Sequence, residues 1–337
     1  MNQQEIHLLL DKLLAKAESD IEVVFAKRLK EILYRIAEMY RKYGKGRTPT
    51  YTDLNKYNRF QQEMAVIAKM FSDDYKKLVK EIESSMQTQY VEKFLMTAFL
   101  FQMASGEEMG FTIPTTDMVQ QALVNPIANI KIPDILKRHR DEIVRKINLE
   151  ITQGLVAGDS YADMAKRIRK AVGFSKKKAR MVARTEAGRV RSVADEAVAE
   201  QASEYVEMGS VWMSSLDLRV RTSHRQLDGQ RADKQGYFHY NGLKAKGPHL
   251  WGVASMDINC RCVKLWLVNG MLPEYRRGRD YMDISYQRKL IGRIDTLMAD
   301  EGLTYVQALK QAQEEIQPPS RTFKYMEYEE WKEKLAS

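Results

Sequence analysis

Cysteine is nearly absent from this chain. Of 337 residues only Cys260 and Cys262 carry thiols, spaced C-x-C. Two thiols do not make a disulfide framework, which excludes a cysteine-stapled secreted scaffold. A reducing cytoplasm is the expected place of synthesis. Long apolar runs are missing as well. The longest, residues 94–104, falls short of the roughly 20 residues that a membrane-spanning helix needs, and it reads as a buried helix. The first residues lack the basic-then-apolar pattern of a signal peptide. No P-loop, serine-nucleophile elbow or dinucleotide fingerprint occurs.

What is present is helix-forming and charged. With 29% charged and 44% hydrophobic residues the chain is globular rather than disordered, and its length suffices for two domains and a sizeable core. Residues 2–43 read as one amphipathic helix, because Ile6, Leu9, Leu10, Leu13, Leu14, Ala17 and Ile21 recur at steps of three and four. Gly44 to Pro49 ends it. Further helices are expected over about 52–71 and 74–105, which suggests an antiparallel bundle. Residues 106–133 hold Pro114, Pro126 and Pro133 and mark a domain boundary, with a short helix starting near Thr116.

Beyond the boundary a basic helix is expected over 135–154. Ser160 and Asp163 then cap a helix over 161–172, which Gly173 stops, and Ser175 caps the next, over 176–205. After Gly209 the period changes. Residues 211–213 and 263–268 read as strands rich in β-branched and aromatic side chains, and the glycines between them mark turns. A helix over 304–316 ends at Pro318-Pro319, and residues 325–331 read as a peripheral tail. The fold class is therefore α+β. A mostly helical module spans 1–130, a small α+β domain spans 131–270 with a long helix on a short, long-looped sheet, and a helical tail spans 271–337.

Net charge is +9 and unevenly spread. Residues 131–191 hold 17 lysines and arginines against 7 carboxylates, which accounts for the whole excess. Such a surface attracts polyanions. Lys166, Arg167, Lys170, Lys176, Lys177, Lys178 and Arg180 are the candidate DNA contacts, with a solvated basic face as the plain alternative. The helix–Gly173–helix pair also has the look of a helix-turn-helix DNA-binding regulator.

Residues 211–266 carry the densest pattern: both cysteines and three of the five histidines. Trp212 is followed by Asp217, Arg219, Arg221, His224, Leu227, Asp228 and Gly229. Phe238 and Pro248 come next, then Asn259-Cys260-Arg261-Cys262. Upstream, Ala183-Arg184-Thr185-Glu186 falls inside a predicted helix. Taken in order and spacing, these residues resemble the phage head morphogenesis family, minor capsid proteins similar to protein F of phage Mu. Val220 departs from the pattern, which often has Thr there. The resemblance spans about residues 150–268 and implies a non-enzymatic head protein. Such a protein joins the procapsid near the portal, contacts portal, scaffolding and major capsid proteins, and lies inside the virion against packaged DNA. It is assembled in the bacterial cytoplasm without a membrane, and departure with the genome is a further implication.

The residues alone leave the chemistry of the centre open. On a strand, Cys260 and Cys262 point to one face. With His224 they make a candidate zinc ligand set, completed by Asp217, Asp228, His239 or His249. The alternative is two small buried hydrophobes beside a histidine that bonds a turn. Asp217, His224 and Asp228 also form a possible acid–base cluster, so a zinc-dependent hydrolase or nuclease is the rival reading. Asp217, Arg219, Arg221 and Asp228 otherwise read as a salt-bridge and turn network. Arg184 and Glu186 are expected to tie their helix to the following strands.

Overall fold

The computed structural model describes residues 2–44, 47–106, 108–124, 132–270, 275–324, 326 and 330. Helix α1 (Gln3–Gly44) buries Ile6, Leu10, Ile21, Phe25, Ile32 and Ile36 on one face. Thr50 starts a short α2 (Tyr51–Asn55) through a capping box with Asp53, and one 3-10 turn leads to α3 (Arg59–Ser105). The two helices expected over 52–71 and 74–105 are thus largely one. Phe71, Tyr75 and Leu78 carry the buried stripe through the polar Ser72-Asp73-Asp74, and Asp74 points sideways to Arg28, at 2.6 and 2.9 Å. Core burial outweighs the weak helix propensity of three residues.

A short α4 (Thr116–Val124) lies where the proline-rich connection allowed one. The boundary expected at residues 130 and 131 lies outside the described residues. Helices α5 (Ile132–Ala157) and α6 (Tyr161–Ala202) complete the helical layer. Ion pairs show how they run. Arg28–Asp74 and Arg35–Glu63 make α1 and α3 antiparallel, Glu142–Lys178 and Glu150–Arg167 do the same for α5 and α6, and Asp11–Arg191 with Glu18–Arg180 does so for α1 and α6. One hydrophobic core runs through α1 and α3 to α6 and includes Trp266 and Val268.

Helix α6 does not stop at Gly173. Its glycine is helical, and Ser175, the expected cap, is buried. A glycine inside a helix costs about 1 kcal/mol relative to alanine, little against the burial of Ile168, Val172 and Ala179 on either side. With no turn there, the helix-turn-helix reading fails.

Strand β1 (Met208–Met213) pairs antiparallel with β4 (Val263–Val268), in register from Met208 opposite Val268 to Met213 opposite Val263. Every residue of β4 is buried, because Trp266 and Val268 join the helical core while Val263 and Leu265 meet Met213. Between these strands lie α7 (Thr222–Gln226), a hairpin of β2 (Phe238–Tyr240) and β3 (Leu243–Ala245), and α8 (Ala254–Asp257). They enclose a second core around Trp212, Phe238 and Trp251. The class is α+β, as the sequence predicts. The tail is less purely helical than expected. Strands β5 (Tyr275–Arg279) and β6 (Ser320–Lys324) pair antiparallel and flank a hairpin of α9 (Ile284–Glu301) and α10 (Tyr305–Glu315). Residues 325, 327–329 and 331 of the expected peripheral tail lie outside the described residues. No helix among those described is long and apolar enough to cross a membrane.

A Cβ added at Gly173 meets nothing within 4 Å. Gly173→Ala is therefore expected to raise stability by about 0.5–1 kcal/mol, read from urea unfolding. A destabilised variant would mean that a turn interrupts α6.

Candidate functional site

The site begins at β1. Trp212 donates its backbone N–H to the Gln230 carbonyl and accepts from the Gly229 N–H, at 2.8 and 3.0 Å. Gly229 sits at φ +77°, open to glycine at little cost, so the Leu227-Asp228-Gly229 turn latches onto the strand. Asp228 accepts from the Ser214 N–H at 2.7 Å, and the Ser214 hydroxyl donates to the His224 carbonyl at 2.8 Å. These bonds fix α7 and aim His224 inward. Trp212, fully buried, meets His224, Phe238 and Trp251 edge-on, with ring centroids 5.4 to 5.9 Å apart.

The second half is the loop before β4. The Asp257 carboxylate accepts from the Trp251 and Val253 N–H groups, each at 3.2 Å. The Arg221 guanidinium donates to the carbonyls of Ser255 and Met256 at 2.5 and 3.0 Å. Asn259 takes a left-handed φ of 55°, and its N–H donates to the Thr185 hydroxyl of α6 at 3.1 Å. Cys260 and Cys262 follow in irregular backbone rather than on a strand, contrary to the strand-alternation argument. They still face one side, because the turn through Asn259 is held at both ends.

His224 Nδ1 lies 3.2 Å from Cys262 Sγ and 3.4 Å from Cys260 Sγ, and all three donor atoms fall within 4.8 Å of one another. All three residues are buried and both thiols are free. Burial pushes both thiols up. For Cys262, the hydrogen bond from Cys260 and the facing His224 outweigh burial and hold it low, while Cys260 keeps its proton. Among the described residues, the His224 ring meets no carboxylate. Asp228 holds the Ser214 amide. Asp217, fully buried, accepts from the Tyr281 hydroxyl and the Arg219 N–H at 2.8 Å each and pairs with Arg261 at 3.0 Å. Burial alone would raise its carboxyl, but Arg261, the Arg219 amide and Tyr281 hold it below the usual range. The acid–base cluster read from the sequence is thus two separate arrangements, a thiol–imidazole trio and a carboxylate–guanidinium knot. His239, another candidate ligand, is exposed and paired with Asp233 at 2.6 Å.

The upstream motif divides differently from expectation. Arg184 bonds Glu18 of α1. Glu186 pairs with buried Arg189 at 2.7 Å, which also reaches the Ala122 carbonyl. Neither ties α6 to the strands. Thr185, between them, binds the cysteine loop. Four of the candidate DNA contacts face carboxylates: Lys176 and Arg180 face Glu22, Lys177 faces Glu314 and Lys178 faces Glu142. Arg167 is held by Asp159 at 2.6 Å. Lys166 and Lys170, with neighbouring Arg169, are exposed and have no ion-pair partner among the described residues.

Two further residues stand at the junction, His249, read from the sequence as a candidate ligand but not grouped with the trio, and Lys264, which gave no sequence signal. His249 is buried against Gly188 of α6, where a Cβ would lie 2.2 Å from its Nε2; burial, with Arg191 nearby, pushes its imidazole down to about 3. Lys264 is buried over the Trp266 ring, bonded to Glu196 and to the Lys246 carbonyl. Burial lowers its ammonium to about 7 despite Asp195. Only long-range packing brings these groups to α6. A cavity of about 550 Å³ lies between α1, α6 and the cysteine loop, with Glu18, Arg184, His249, Cys260 and Cys262 in its wall.

Residues 145–265, which contain His224, Cys260 and Cys262, match the family described as phage Mu protein F like protein. The chain is 40% identical to the minor head protein GP7 of Bacillus phage SPP1 over 280 residues, covering 82% of this chain and 91% of that protein. It is 30% identical to the NAD(+)–arginine ADP-ribosyltransferase EFV of Enterococcus faecalis over 210 residues, 62% of this chain and 43% of that protein. An uncharacterized protein of Haemophilus influenzae is 29% identical over 131 residues, 39% of this chain and 26% of that protein. No solved structure matches.

The pH response of the junction follows from two opposed groups. His249 titrates near 3 when folded and near 6.5 unfolded. Its contribution is full above about 6.5 and drains away as pH falls towards 3. Burial raises the Asp257 carboxyl to about 6, against about 3.9 unfolded, so it favours folding increasingly as pH falls from 6 to 4. Between those values the two cancel. Asp257→Asn removes one side and is expected to lose about 2 kcal/mol more than the parent from pH 6 to pH 4. Parallel urea-unfolding profiles for parent and variant would contradict the assignment.

Proposed function

Because the chain belongs to the phage Mu protein F-like family and acts in phage head morphogenesis, we propose that it is a minor head protein that enters the procapsid at the portal vertex. The observation that carries this is the 40% identity to a minor head protein over 91% of that protein's length. Two exposed apolar stripes support docking onto portal, scaffolding or major capsid protein. Leu95, Phe99 and Met103 stand one turn apart on α3, and Ile284, Ile291 and Met298 stand seven residues apart on α9. Assembly takes place in the host cytoplasm, and the protein ends inside the virion.

Packaged DNA is the second partner. Lys166, Arg169 and Lys170 project from α6 at i, i+3 and i+4, and their charges are not spent on carboxylates as those of Lys176, Lys178 and Arg180 are. Contact is nonspecific and salt-sensitive, and release with the genome is compatible with such contact. The role is structural rather than catalytic. The similarity to the ADP-ribosyltransferase covers 43% of that protein, so more than half of it has no counterpart in the aligned stretch.

The reading is tested by sedimenting the purified chain with portal rings, with duplex DNA retention in parallel. Co-sedimentation is expected, abolished by Phe99→Asp with Met103→Asp or by Ile284→Asp with Ile291→Asp. Retention at about 50 mM salt is expected, weakened when Lys166, Arg169 and Lys170 become Ala. A folded chain that ignores portal rings overturns the portal reading, and one that ignores DNA at low salt overturns the DNA reading.

A further inference from the structure

We propose that His224, Cys260 and Cys262 form a zinc(II) site with three protein donors and a fourth position on the side of the cavity. The inference stands on geometry and does not rest on the family role. Zn–S bonds of about 2.3 Å and Zn–N bonds of about 2.05 Å at tetrahedral angles put neighbouring sulfur and nitrogen ligands roughly 3.5 Å apart. The observed separations are 3.2 and 3.4 Å. One metal ion therefore fits between the donors with only a slight spreading of the trio.

The chemistry of the donors points the same way. Two thiols and an imidazole are the soft and borderline ligands that suit zinc, and are a poor set for magnesium or calcium. Thiols serving only as small hydrophobes have no reason to turn both sulfurs onto one ring nitrogen. A thiol is a weak hydrogen-bond donor, and a buried imidazole needs a strong partner. His224 has none other among the described residues, since its Nε2 is buried without a hydrogen bond. A metal ion on Nδ1 supplies the strong partner that the two weakly donating thiols do not, on the side where both sulfurs lie.

The site is also built in advance. Ser214 and Asp228 hold α7, Arg221 holds the carbonyls of α8, and Thr185 holds Asn259. These bonds place donors 36 and 38 residues apart in sequence at one point, which lowers the cost of ordering them around an ion. No fourth His, Cys, Asp or Glu joins the trio among the described residues. Both cysteines line the 550 Å³ cavity, so a water molecule from that side completes four ligands. The ion ties α7 to the loop that docks on α6.

Cobalt(II) is the probe, on the full chain held reduced and stripped with a chelator. About one cobalt per chain is expected, with thiolate-to-cobalt charge transfer and the visible bands of four-coordinate geometry. Zinc should bleach these bands and raise the melting temperature of the stripped chain. Cys262→Ser should weaken the charge transfer by about half or more, since at most one thiolate donor remains. If that variant misfolds, the wild-type titration decides alone. A folded, reduced wild-type chain that shows no charge transfer and melts unchanged with zinc overturns the proposal, as does a cobalt spectrum that survives Cys260→Ser with Cys262→Ser.

Discussion

Helix α6 is covered on both sides, and the structure depends on that constraint. A helix can lie between two layers only if its side chains let both approach, and Ala179, Ala183, Ala187 and Ala194 keep the approach short. Gly188 is the extreme case, since His249 occupies the space of its missing side chain. Charged residues then reach out between the small ones. Arg180, Arg184 and Arg191 hold α1, and Asp195 and Glu196 hold Lys93 of α3 and Lys264 of β4. The Lys93–Asp195 pair is buried at 2.9 Å. Such pairs contribute little net stability, but breaking one strands a charge at a cost of about 3–5 kcal/mol. They fix which helix face meets which neighbour.

This constraint explains where the family pattern falls. The Ala183 to Glu186 motif and the cysteine loop are more than 70 residues apart in sequence, yet the hydrogen bond from Asn259 to Thr185 joins them. Arg184 and Glu186 spend their charges on α1 and on Arg189 instead. The pattern shared with head proteins therefore reads as a joint between a helical body and a loop-rich cap. The surfaces proposed for portal and DNA lie on α3, α9 and the early part of α6. The thiol–imidazole trio lies at the joint itself.

Much of this was legible in the sequence, and the failures have physical causes. Three- and four-residue steps gave the long helices, and β-branched runs gave β1 and β4, because burial writes its period directly into the chain. Gly173 and Ser72-Asp73-Asp74 misled, because local propensity of about 1 kcal/mol per residue yields to a core that continues past it. Strands β5 and β6 stayed hidden, since β6 is mostly exposed and needs no apolar alternation. Cys260, Cys262 and His224 were legible as a group, though the reason was a held turn rather than strand alternation. His249 was legible only as a candidate ligand and Lys264 not at all, because only tertiary packing against α6 defines their roles.

Helix α6 makes the helical body and the cysteine-bearing cap one cooperative structure. Urea unfolding followed by two signals tests it most directly. Far-UV circular dichroism reports mainly the long helices, and in a Trp331→Phe chain tryptophan fluorescence reports Trp212 and Trp251 in the cap and Trp266 on β4. Coincident midpoints and equal slopes are the expected result. A fluorescence transition at clearly lower urea, with most of the helical signal retained, would contradict the account.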